Sequence, residues 1–315
     1  MFKQAKILFL YTETPLHVGS GSSLGTVDLP IQRERHTHLP MIQSSGIKGK
    51  LRSAFSSNGS NSNNDNKSEE QRQKALIKVI FGPEGNESSE HAGALSPGDG
   101  RLLLFPVRSL SGVFAWITCP LVISRFVRDL KLANQFKNWR IEPGGGQAIV
   151  PTGSNLLIDK AVVLEEFSFT AQTDNSSLQD FADWLAINAL PSGTEYQFWK
   201  NKLKKDLVVI SDDAFKDFCQ FSTDIVSRTK LSQETKTVQD GALWTEENLP
   251  ADTLLYTPLF ACDPRIAKKD DVPSEVADAA AILKLVQTYL TNGHSRLQLG
   301  GNETVGRGIV ATHVL

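Results

Sequence analysis

Cysteine is scarce in this chain of 315 residues: Cys119, Cys219 and Cys262 are odd in number, far apart and without a CxxC pair. That pattern argues against a disulfide framework and against a structural zinc site, and it fits a reducing cytoplasm. A long apolar run is also missing. The most apolar stretch, Leu102 to Val127, is broken by Arg108, Ser109, Ser111, Pro120 and Arg125, and no basic-then-apolar segment opens the sequence, so a soluble protein with no membrane partner is expected. Excess charge of one sign is absent too. Lys and Arg number 33 against 35 Asp and Glu, a net charge of −2, so no global basic field advertises nucleic acid. No internal repeat of solenoid length is present.

The chain does have enough apolar residues, 40% of the total, to bury a large core in one elaborated domain. It also has one local basic cluster. Between Ile31 and Arg52 lie Arg33, Arg35, Lys48, Lys50 and Arg52 against the single acid Glu34, with His36 and His38 between them. Such a run is either a solvated face or a contact for an anionic partner. Two histidines without a third ligand are weak grounds for a metal site.

Periodicity predicts a buried strand over Phe2 to Thr14, centred on Ile7 to Tyr11, then a loop of small residues to Gly25 and a short extended piece from Thr26 to Ile31. Ser44 and Ser45 are expected to cap a helix that turns Ile47, Leu51 and Phe55 to the core. Residues 56 to 66, five of them Asn and four Ser, cannot bury enough apolar area to fold and read as a disordered loop. A helix is expected over 69 to 81, and 82 to 100 reads as loose. Strands over 101 to 107 and 113 to 118 form a hairpin, followed by a helix from Pro120 carrying Leu121, Phe126, Leu130 and Phe136. Helices are expected at 177 to 190, 195 to 204 and 212 to 221, then a hairpin of 224 to 231 with 237 to 244. A strand at 253 to 262, a helix at 275 to 291 and a strand at 309 to 314 complete the chain. Elements in mixed order with large inserts between them indicate α+β architecture.

Three short patterns are misleading. Gly21-Ser-Ser23-Leu-Gly25 matches GxSxG but runs into Val27-Asp-Leu-Pro30, which cannot open the helix a nucleophile elbow needs. Gly301 to Gly306 has a phosphate-loop frame, yet Arg307 and Gly308 replace Lys and Ser/Thr, with too few residues left for a helix. Gly19-Ser-Gly21 lacks a βαβ continuation.

The chemistry that remains belongs to a polyanion. Gly19, Ser20 and Gly21 let backbone approach a phosphate closely, and a helix starting at Ser44 offers amide N–H groups with Lys48 beside them. Gly301 and Arg307 offer the same from the C-terminal loop. Brought together, these segments make a groove for a nucleic-acid backbone; kept apart, they are ordinary turns. Asp28 lies between the glycine loop and the basic segment, where a carboxylate repels RNA unless it binds a hard cation or handles a proton; otherwise it caps a turn. His17 either anchors its loop or contacts a phosphate or 2′-hydroxyl.

The run from Thr14 through His17, Gly25, Asp28 and Arg33 to Arg35 closely resembles the N-terminal motif of the RAMP-superfamily backbone subunits of type III-B CRISPR (Cmr) complexes. Ser44-Ser-Gly-Ile-Lys48-Gly-Lys-Leu-Arg52 resembles the family's first helix, and Arg101 to Ser109 its next strand. Segments 241 to 250 and 300 to 308 continue the likeness across nearly the whole chain. The resemblance implies a ferredoxin-like (RRM-type) palm, about 1–55, 101–170 and 245–315. It also implies a loose insertion at about 56–100, and helices with a β-hairpin thumb at about 171–244, carrying Arg228, Lys230 and Lys236. It further implies copies stacked on guide RNA with other complex subunits, and cleavage of complementary single-stranded target RNA at regular intervals with a divalent metal, Mg or Mn. Asp28 is then the slicing residue and metal ligand, Glu246 and Glu247 are acids near the cleavage site, and His17 positions RNA. A backbone subunit that coats RNA without cutting, and a solitary ribonuclease that processes guide precursors, are the competing readings.

Overall fold

The apolar run Ile7 to Tyr11 forms the middle of a strand, Gln4–Thr12, whose last six residues are all buried. Alternation puts Phe9 and Tyr11 on one face and Leu8 and Leu10 on the other, so burial of both sets means both faces are covered. The computed structural model describes residues 1–57, 67–84, 91–235, 237–266 and 272–315. The expected polar loop at 56 to 66 therefore lies mostly outside the described residues, as does Lys236.

Gln4–Thr12 pairs antiparallel with Leu254–Ala261 on one side and Ile309–Val314 on the other. Gly100–Arg108 extends the sheet beyond Leu254–Ala261. In chain order, helix Ser44–Ser57 falls between the first of these strands and Gly100–Arg108, and helix Ala279–Thr291 precedes Ile309–Val314. Gly100–Arg108 serves two neighbours: its first half pairs with Leu254–Ala261, and Phe105 to Arg108 pair with Phe114–Thr118. From there the sheet continues through Leu207–Val209, Gln147–Ile149, Phe167–Gln172 and Ala161–Leu164, reaching thirteen strands. Two of its pairings are parallel, Leu207–Val209 with Phe114–Thr118 and Gln147–Ile149 with Phe167–Gln172. The result is a mixed α/β scaffold around one large sheet.

Helices close the faces. Phe55 stacks on Tyr289 and meets Phe81 edge-on where Ser44–Ser57, Lys67–Phe81 and Ala279–Thr291 come together. Elsewhere Phe126, fully buried on helix Pro120–Leu132, collects Phe9, Trp139, Phe181, Trp184 and Tyr256 with ring centroids 4.8 to 6.5 Å away. Beneath this cluster Asp129, buried on the same helix, accepts hydrogen bonds from Tyr256 (2.9 Å) and Arg101. A buried carboxylate needs such partners.

The hairpin of Asp224–Leu231 and Val238–Asn248 forms a separate two-stranded sheet. Its first strand is mostly exposed on both faces, so it stands out from the body and is fixed at its root. The second strand runs to Asn248, beyond the expected end at Trp244, which places Glu246 and Glu247 on the hairpin.

Other differences have local causes. Helix Ser44–Ser57 includes Ser44 in its first turn, and its amide donates to Asp99 (2.9 Å), so a residue distant in sequence supplies the acceptor expected from Ser44 or Ser45. Phe136 lies past the end of its helix and is exposed, because the chain leaves helical geometry at Ala133. The segment read as loose contains strand Leu95–Pro97, paired with Leu259 to Ala261. The last helix starts at Ala279 because Asp278 caps it, accepting from Ala281 N (2.8 Å), after a 3-10 turn at Ser274–Val276. Short strands such as Gln147–Ile149 and Leu207–Val209 were not expected; three residues carry too little periodicity to register.

Phe126→Ala is expected to cost about 3–5 kcal/mol, the usual price of emptying a large aromatic site. Urea denaturation monitored by tryptophan fluorescence measures it; a loss under about 1 kcal/mol would mean that the cluster is not the organising core.

Candidate functional site

Residues 17 to 31 double back on themselves. Gly19 and Ile31 form an antiparallel bridge, Ser20 N donates to Pro30 O (3.0 Å), and Ser23 N donates to Asp28 O (2.9 Å). The returning arm lies along the hairpin's second strand as a parallel partner: Leu29 N donates to Thr245 O and Glu247 N to Leu29 O, both at 3.0 Å. Asp28 thus stands at the hairpin root. Its side chain is exposed and makes no ion pair among the described residues, and Oδ2 accepts from Thr245 N (2.7 Å) and Thr245 Oγ1 (2.9 Å). These bonds from Thr245 hold the Asp28 carboxyl below its usual pKa.

Glu246 and Glu247 are neighbours on a strand and point to opposite faces. Glu247, buried, accepts from Ile31 N (3.0 Å), from Thr223 Oγ1 (2.9 Å) and from Arg33. It ties the Asp28 arm to the start of the hairpin. Glu246, also buried, accepts from Arg228 Nε at 3.0 Å. Burial works to raise its pKa, but the Asn302 and Arg228 side chains outweigh it and leave the carboxyl below the ordinary range. Both acids are held in internal contacts, and Asp28 is the exposed carboxylate of the three.

His17 is buried, and its Nδ1 lies 2.7 Å from Glu247 O, so the ring nitrogen donates there. The ring is wedged between the two glycine loops: a Cβ on Gly19 would meet His17 Nε2 at 2.9 Å. The backbone at His17 is just as crowded. Gly300, at φ +72°, comes so close that a Cβ would lie 2.2 Å from His17 O, and Gly301 N donates to that same oxygen at 2.9 Å. Only glycine fits at position 300. The loop-anchoring role of His17 is thus visible directly.

The glycine loop, the first helix and the C-terminal loop meet, but Lys48 and Arg307, expected with them, are not on the walls of the groove they form. A groove of about 510 Å³ is lined by Gly19, by Ser45, Gly46, Gly49, Lys50 and Ser53 of the first helix, and by Gly300 and Gly301. Gln32 binds its walls together: its Nε2 donates to Gly19 O (3.1 Å), and its Oε1 accepts from Gln43 N (2.9 Å), one residue before the helix. Lys48 lies on that helix with Arg52 and Arg265 as like-charged neighbours; burial and those charges lower its pKa.

The cations divide into two groups. Arg33 donates to His38 O (2.9 Å), Cys219 O (3.0 Å) and Glu247; Arg52 pairs with Glu84 (2.6 Å); Arg228 pairs with Glu246. Arg35, Lys48, Lys50, Lys230 and Arg307 make no ion pair among the described residues, which leaves their charge available to a partner. Arg35 and Lys230 are exposed, Lys230 out along the hairpin. Arg307 lies near the hairpin root, where partial desolvation raises the pKa of Asp224 and the Arg307 charge opposes it. Sequence reasoning missed Gln32, Thr245, Asn302 and Asp99. All four act through contacts distant in sequence, and none carries charge in a recognisable pattern except Asp99.

This arrangement has known counterparts. The chain belongs to the RAMP superfamily, whose family model matches residues 9–311. It is 39% identical over 310 residues to the CRISPR system Cmr endoribonuclease Cmr4 of Pyrococcus furiosus, covering 98% of this chain and 94% of that one. Identity to the CRISPR system CMR subunit Cmr4 of Saccharolobus solfataricus is 27% over 321 residues, 97% and 94% of the two chains. Among solved structures, oligomeric Cmr4 from Pyrococcus furiosus superposes with a TM-score of 0.70 at 35% identity, covering 99% of this chain and 97% of that one. A subunit of the type III-B Cmr-beta complex bound to cognate target RNA shares the fold, with a TM-score of 0.69 at 20% identity and 99% and 98% coverage.

Removing Glu247 strands the Arg33 guanidinium in a nearly closed site. Glu247→Ala is expected to cost about 3–5 kcal/mol, as when one member of a buried ion pair is deleted, whereas Arg35→Ala should stay within about 0.5 kcal/mol. Parallel urea melts compare them; equal costs would show that the pair at the hairpin root does not hold the loop.

Proposed function

We infer that this chain is the repeated backbone subunit of a type III-B CRISPR (Cmr) effector complex, binding guide RNA in several copies and cleaving complementary target RNA. Full-length similarity to a protein named as the Cmr endoribonuclease supports the activity. The observation that carries the reading is the single groove built by the glycine loop, the basic helix and the C-terminal glycine loop, joined through the Gly19–Ile31 ladder to the exposed Asp28. Guide RNA, target RNA, further copies and the other Cmr subunits are the partners, and the cytoplasm is the place of work.

The four central strands, in the order Ile309–Val314, Gln4–Thr12, Leu254–Ala261, Gly100–Arg108, with helices Ser44–Ser57 and Ala279–Thr291 between them in the chain, support reading this part as a ferredoxin-like palm. The hairpin is the thumb, its first strand mostly exposed on both faces, and it is able to enter between duplex segments. Base pairing supplies sequence recognition, and the protein supplies shape and backbone contacts. Lys50 grips phosphate at the groove, and Lys48, on the same helix but off the groove's walls, adds positive charge that no acid answers among the described residues.

A divalent metal belongs to this reading as a proposal. Among the described residues no three His, Cys, Asp or Glu side chains converge as a ligand set. The donor chemistry fits a hard cation held by Asp28 and completed by water and RNA phosphate oxygens, the usual habit of Mg²⁺. When bound, it would neutralise charge building on the scissile phosphate. Asp28 itself, held below its usual pKa, is ionised at neutral pH and is a poor proton acceptor. Its part would be to hold the cation beside the cleaved link while the thumb fixes the target's geometry.

Asp28→Ala, assembled into the complex with matched target, should lower cleavage by about 10²-fold or more while RNA binding is retained. Undiminished cleavage at regular intervals would overturn the slicing role and leave a non-catalytic backbone subunit of the same fold. Lys48→Ala with Lys50→Ala should weaken binding equally across unrelated sequences and reduce the salt slope by about 1–2; sequence-dependent losses would remove the phosphate contact.

A further inference from the structure

An exposed aspartate ordinarily samples several rotamers, and that freedom is lost when it must act at one position. Asp28 is exposed, yet it is clamped from three directions by one residue. Thr245 N donates to Asp28 Oδ2 at 2.7 Å, Thr245 Oγ1 donates to the same oxygen at 2.9 Å, and Asp28 N lies 3.0 Å from Thr245 Oγ1. The threonine hydroxyl therefore bridges the acid's backbone and its side chain. Both side-chain contacts fall on Oδ2, so one oxygen of the carboxylate is fixed while the group as a whole stays open to solvent.

We propose that Thr245 is the positioning residue for Asp28, and that through it the hairpin and the slicing carboxylate move as one body. The inference rests on the slicing role assigned to Asp28. Thr245 sits on the hairpin's second strand opposite Ser227, and the two flanking backbone bonds, Leu29 N to Thr245 O and Glu247 N to Leu29 O, tie the Asp28 arm to that strand through one parallel bridge. Glu247 then closes the arrangement by accepting from Ile31 N and Thr223 Oγ1. A thumb that is turned or held by a target duplex carries Asp28 with it, because no flexible link separates the two. Alignment of the acid becomes a consequence of how the thumb is seated. A small misplacement of a reacting group is costly, about 10²-fold for roughly 1 Å, so the clamp has a rate to protect.

The test uses the assembled complex with saturating matched target. Thr245→Val keeps the β-branched shape suited to a strand and removes the hydroxyl. It is expected to lower cleavage turnover about 10- to 100-fold without changing the KM for target or the assembly of the complex. Thr245→Ser, which keeps the hydroxyl, should restore most of the turnover. Four outcomes overturn the proposal. Valine at wild-type turnover while Asp28→Ala is inactive sinks the clamp and spares the slicing role. Serine as slow as valine assigns the effect to packing. A raised KM at unchanged turnover assigns it to binding. Full cleavage by Asp28→Ala removes the slicing role and the clamp together.

Discussion

The site depends on the buried carboxylate of Glu247. It lies on the hairpin but accepts from a backbone amide of the returning loop at Ile31, from a hydroxyl at Thr223 and from the guanidinium of Arg33. Arg33 in turn reaches the backbone oxygens of His38 and Cys219. Three segments distant in sequence, 31–38, 219–223 and the hairpin's second strand, are locked by one group whose polar atoms are nearly shut off from water, where hydrogen bonds and charge pairing are strongest. His17 adds a second lock by reaching the backbone oxygen of the same residue. With the loop fixed, Asp28 has a defined place; without it, the acid would lie on a mobile strip of glycine and serine.

The electrostatics follow the same division between internal structure and outward function. A chain with net charge −2 cannot attract RNA over long range, so binding has to come from cations whose charge is not already answered nearby. Arg33, Arg52 and Arg228 have acidic partners, and the lysines of the first helix have none among the described residues. Arginine suits the internal role because its planar fork satisfies several acceptors at once, whereas lysine acts as a point charge toward phosphate. Lys50 lines the groove together with Gln32, Ser45, Ser53 and five glycines, so a ligand there meets backbone as well as polar side chains.

Much of the scaffold is legible in the sequence because long elements carry strong periodicity. The strands at Gln4–Thr12, Asp224–Leu231 and Ile309–Val314 and the helix at Asp212–Phe221 lie within or on the ranges read from pattern. Three-residue strands, the Asp99 contact at the first helix and the end of the hairpin at Asn248 were hidden, since each is decided by a distant partner. The convergence of two glycine loops on the basic helix was legible in residue type alone. The separate fates of Arg33 and Arg35, two positions apart, were not: one is enclosed by Glu247 and the other faces water. Nor could sequence say which of Glu246 and Glu247 lies at the site; both are buried and held in internal contacts.

The hairpin has a cost for the subunit taken alone. Ile225, Leu231, Val238 and Leu243 lie open along a ribbon that has no sheet behind it, and a two-stranded ribbon in water is marginally stable by itself. Apolar side chains together with unpaired strand edges favour sticking to other chains. The isolated polypeptide should therefore be prone to self-association and sensitive to proteases at the ribbon's far end. Both liabilities should fade once RNA or neighbouring chains shield the ribbon, giving a reason for such a subunit to be produced and stored only in company.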